Sequence, residues 1–65
     1  MNLETVGRLV AEIETCKDDA DAAHSKEDRL YIVVLNAIAD GCPDAPLLAR
    51  EALKTQGFDF ERWCA

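Results

Sequence analysis

No cluster of lysine or arginine occurs anywhere in the sequence: 7 basic residues are scattered among 13 acidic ones, for a net charge of −6. Phosphate backbones are held by grouped cations, so direct nucleic-acid binding is not expected. Glycine (3) and proline (2) are few, and the glycines never gather into the loop that cradles a phosphate. The single histidine, His24, has no serine–acid set around it. The three cysteines, Cys16, Cys42 and Cys64, are separated by 25 and 21 intervening residues. They form none of the close pairs that structural zinc sites use. No apolar run is long enough for a bilayer, since the densest stretch, Leu30 to Ala39, is broken by Asn36. The N-terminus carries neither a basic leader nor an apolar core segment. Together with widely spaced, odd-numbered cysteines, this leads us to expect free thiols in a reducing cytoplasm.

What is present points to helices. The apolar fraction of 49% is ordinary for a folded domain, and 65 residues make one domain, residues 1–65. Leu3, Val6, Val10 and Ile13 recur at helical spacing after Asn2, a favourable N-cap, and predict a first helix over 3–23. That helix should fray at its end, where Asp18, Asp19 and Asp21 oppose its dipole. Ser25 reads as the cap of a second helix over 26–40, stopped by Gly41. Its β-branched run Ile32-Val33-Val34 also admits a strand. Asp44 and Pro46 open a third helix over 45–56 with Gly57 as its stop. The fold class expected is all-α: a small three-helix bundle with a short C-terminal helical turn.

Three of the four aromatic residues lie within the last eight positions: Phe58, Phe60 and Trp63. Termini fray unless tied down, so these rings are either docked on the core or offered to another molecule. Asp59 can cap a final turn with Phe58 and Trp63 at staple spacing, which favours docking. One aromatic edge beside Arg62 then remains for contact, a pairing common at interface hot spots.

Catalysis and metal binding find little support. Cys16 and His24, eight residues apart on a continuous helix, would be separated by a rise of about 12 Å, too far for a dyad. Counted from Asp19, the sixth place of a calcium loop, which needs glycine, is His24. No cofactor is expected. A metal-binding helical domain using the cysteines and His24 stands as a weaker alternative. The remaining candidates are surfaces: the tail residues Phe58, Phe60, Arg62 and Trp63, and the acidic group Asp18, Asp19 and Asp21. The stripe Leu3, Val6, Val10 and Ile13 reads either as core or as the seam of a homodimer, the commonest oligomer.

The segments Leu30–Gly41 and Ala49–Ala65 resemble small open reading frames of bacteriophage and prophage genomes. The resemblance spans about half of the chain and carries no catalytic motif. It implies a bacterial cytoplasm and an accessory role in modulating a host protein. The expectation is therefore a small acidic, non-enzymatic protein that acts by protein–protein contact, with no membrane or nucleic-acid partner. A module serving oligomerisation alone is the alternative.

Overall fold

Asn2 starts the first helix as its sequence predicts. In a computed structural model that describes residues 1–62, its side-chain oxygen accepts from the Thr5 N–H at 2.8 Å. The helix α1, Leu3–Thr15, then turns its stripe inward. Val6, Val10 and Ile13 are all buried, while Leu3 stays on the surface.

α1 ends earlier than expected. Cys16 to Asp19 form a turn, and a second helix, α2, runs over Ala20–Ala39. Asp19 is its N-cap, with a side-chain oxygen accepting from the Ala22 N–H at 3.2 Å. The acids read as an unfavourable helix end are thus a favourable helix start, where a carboxylate satisfies an orphan N–H and meets the positive end of the dipole. Ser25 lies inside α2 and caps nothing, and Ile32–Val34 is helical. Glu27, which a helix starting at 26 would place in its first turn, instead sits two turns into α2 on its buried side.

α2 closes with a Schellman arrangement. The Cys42 N–H donates to the Ala37 carbonyl (3.1 Å) and the Gly41 N–H to the Ile38 carbonyl (3.0 Å). Gly41 takes the left-handed conformation this requires, at φ 85°. The third helix, α3, spans Ala45–Ala52, with Asp44 at its N-cap position but making no side-chain cap bond. The remainder of the expected helix tightens into a 3-10 segment, Leu53–Gly57. There the Thr55 hydroxyl donates to the Ala52 carbonyl at 3.2 Å.

The three helices pack against one another as a small all-α bundle, with no strand among the described residues. Val6, Val10 and Ile13 of α1, Ala23, Leu30 and Val34 of α2, and Leu48 and Ala52 of α3 form the core. Each of the larger aliphatic side chains contributes about 1.5–3 kcal/mol on burial. This geometry corrects the seam expectation. Val6, Val10 and Ile13 are covered by the chain's own α2 and α3, which leaves Leu3 alone of that stripe for another copy to touch. Among the described residues no helix is long and apolar enough to cross a membrane.

Candidate interaction face

The C-terminal segment is held by a charge that the sequence places far away. α2 directs Ala23, Glu27, Leu30 and Val34 inward at helical spacing, and Glu27 is only 3% exposed. A carboxylate there needs a partner. Arg62, 35 residues on, supplies it: Nε donates to Glu27 Oε1 at 2.9 Å and Nη2 to Oε2 at 3.1 Å. The guanidinium also donates to the carbonyls of Thr55 (2.6 Å), Phe58 and Phe60 (both 3.3 Å), and lies 3.9 Å over the Phe60 ring. Burial pushes the Glu27 carboxyl up. The hydrogen bonds from Arg62 and Tyr31, the nearby Thr55 hydroxyl and the Arg62 charge outweigh it and hold the group below its ordinary value. Arg62 is held above its own by the hydrogen bond to Glu27.

A polar row extends this pair along the edge of the core. The Tyr31 hydroxyl lies 2.6 Å from Thr55 Oγ1 and 3.4 Å from Glu27 Oε2, and accepts from Gln56 Nε2 at 2.7 Å. Among the described residues no buried side-chain polar atom is left without a partner. The row does structural work, tying the segment after α3 to the middle of α2.

Arg62 is therefore an internal anchor, not the exposed contact expected beside Trp63. Phe58 and Phe60 are partly buried against the core. Residues 58–62 are non-helical, so Asp59 caps no turn within them. Trp63 and Cys64 lie outside the described residues. Asp18, Asp19 and Asp21 are all exposed, and one of the three already serves as a cap.

Among the described residues no hydrogen bond joins Cys16 or Cys42 to His24. Cys16 Sγ donates to the carbonyls of Glu12 (3.3 Å) and Ile13 (3.5 Å), and Cys42 Sγ to that of Met1 (3.7 Å). Both are free thiols. His24 stands on α2 beyond the turn that ends α1, with Nε2 3.4 Å from Asp28. The continuous-helix argument about Cys16 and His24 therefore lapses. Among the described residues no three His, Cys, Asp or Glu side chains gather as a metal site.

Among the open grooves of the described residues, the one on the outer side of α2 and α3 is lined by apolar surface alone. Tyr31, Val34, Leu35, Ile38, Ala49, Ala52 and Leu53 line a groove of about 260 Å³. Its rim is apolar: Leu35 is 64% exposed, Leu53 59%, and Ile32, on the ridge beside it, 60%. Isolated exposed aliphatics are normal, whereas a contiguous set marks a contact surface. The sequence signal lies in α2 itself. From Leu30 to Ile38 its apolar residues cover more of the helix circumference than one core-facing stripe needs.

Fold and face together define a class, a small all-α bundle with an open apolar groove between α2 and α3. No protein-family model, curated protein or solved structure matches the chain.

Proposed function

We propose that the chain works by protein–protein contact, without catalysing a reaction, and that the α2–α3 groove with Ile32, Leu35 and Leu53 is its contact face. The observation that carries this reading is the exposure of Leu35 and Leu53 on an apolar groove, with Ile32 exposed beside them on α2. A groove of this kind suits the apolar side of a helix laid along it, with aliphatic anchors at helical spacing. The polar row through Tyr31 ties one end of the groove to the segment after α3. In this reading the cytoplasmic, phage-type accessory role implied by the sequence resemblance is exercised through the groove. The acidic group Asp18, Asp19 and Asp21 shapes encounter with partners, since an exposed acidic patch steers basic surfaces and repels acidic ones.

A selection from a displayed library of amphipathic helical peptides tests it. Binders are expected to shift the amide resonances of Tyr31, Ile32, Leu35, Ile38 and Leu53, and to be lost with Leu35→Asp while the helical circular dichroism is retained. Binders that map to the outer side of α1, or that still bind Leu35→Asp, would refute the assignment of this face.

A further inference from the structure

We propose that the occupant of the α2–α3 face is a second copy of the same chain, docked antiparallel across a two-fold axis near Ile32, with Arg50 of each copy meeting Asp28 of the other. The inference rests on the reading of that face as the contact surface, and adds the partner.

A two-fold interface uses one patch twice, so the patch must be its own complement. This one is. It carries both a groove, between α2 and α3, and a ridge, the exposed Ile32 and Leu35 of α2, side by side. Rotation about an axis near Ile32 lays the ridge of one copy against the groove of the other, the ordinary way helices pack.

The charges at the two ends of the face fix the direction. α2 and α3 run antiparallel, since Tyr31 meets Thr55 and Gln56 while Ile38 shares the groove with Ala49. Asp28 lies one turn before Ile32 on α2, with a side chain 64% exposed and His24 as its only ion-pair neighbour among the described residues. Arg50 follows Ala49 at the far end of the groove. It is exposed and forms no ion pair among the described residues. A two-fold rotation exchanges these ends and brings base to acid twice. It also sends the two Asp18–Asp21 groups to opposite extremes of the assembly, whereas a parallel pairing would set them side by side.

Burial favours the same partner. Ile32, Leu35 and Leu53 are exposed on the single chain, and a second copy of the same face covers them on both sides at once.

Sedimentation equilibrium from micromolar to millimolar concentration tests the proposal on the wild type, Ile32→Asp, Asp28→Arg, Arg50→Asp and the double charge swap. Circular dichroism monitors folding of each. The wild type is expected to form a dimer and Ile32→Asp to remain a folded monomer. Each single swap should weaken the dimer about tenfold, because it introduces two like-charge contacts. The double swap should return to within about threefold of wild type. A wild type that is monomeric throughout, a dimer indifferent to Ile32→Asp, or a double swap with no recovery would each overturn the proposal. If the wild type is monomeric while selected helical peptides still land on Leu35 and Leu53, self-pairing falls and the contact-face reading stands.

Discussion

Replacing Arg62 by alanine removes the only cation paired with the buried Glu27 among the described residues, and the size of the loss follows from what remains. Breaking one partner of a buried ion pair costs about 3–5 kcal/mol. The Arg62 side chain is 29% exposed, so water reaches its outer edge, and about 2–3 kcal/mol is the appropriate range. For a domain of this size that corresponds to a fall in Tm of about 10–20 °C, readable by a circular-dichroism melt at neutral pH. Arg62→Lys should recover part of it, since lysine restores charge but not the two-pronged geometry. The pH dependence carries a definite sign. Glu27 is held below its ordinary value of 4.5, so its stabilising effect is complete above that pH and is lost as the pH falls through the lower folded value. Glu27→Gln should flatten this acid limb. An Arg62→Ala protein melting within about 3 °C of wild type, under the shift that 1 kcal/mol gives, would refute the anchoring role of the Arg62–Glu27 pair, as would an undiminished acid limb in Glu27→Gln.

Three further outcomes follow from the helix ends and the core. Asp19→Ala should destabilise by about 1 kcal/mol through loss of the α2 cap, while neighbouring Asp18→Ala stays within about 0.5 kcal/mol; urea titration of both separates cap from bulk charge. Gly41→Ala should cost about 1–2 kcal/mol, measured the same way, because the left-handed φ of 85° penalises a Cβ even where nothing lies within 4 Å of it. Ile13→Ala, emptying one of the largest buried sites, should cost about 2–4 kcal/mol by thermal or urea unfolding.

The helical architecture was legible because its signals are local. Asn2, Gly41 and Pro46 act within a few residues of themselves, and the Leu3–Val6–Val10–Ile13 stripe needs only the helical period. The break at Cys16–Asp19 was not, because neither glycine nor proline marks it and Ala20, Ala22 and Ala23 continue a helix-forming composition. Asp19 was the available signal, being as strong an N-cap as Ser25. The Arg62–Glu27 pair joins residues distant in sequence, and such pairs leave no periodic trace. Its hint lay on one side alone: Glu27 occupies a core position between Ala23 and Leu30, and an acid there demands a cation. The possible seam was read onto α1 for a related reason. Helical periodicity identifies an apolar stripe but not what covers it, and α1 is covered by α2 and α3. α2 has apolar residues to spare.

Amide chemical shifts recorded as the protein is diluted test the central claim, that the chain makes its contacts through the outer side of α2 and α3. Dilution is expected to move Asp28, Ile32, Leu35, Ile38, Arg50 and Leu53 together along one binding curve, with the outer side of α1 unmoved. Shifts confined to α1 and the Cys16–Asp21 region, or none at all from micromolar to millimolar concentration, would contradict self-association through this face.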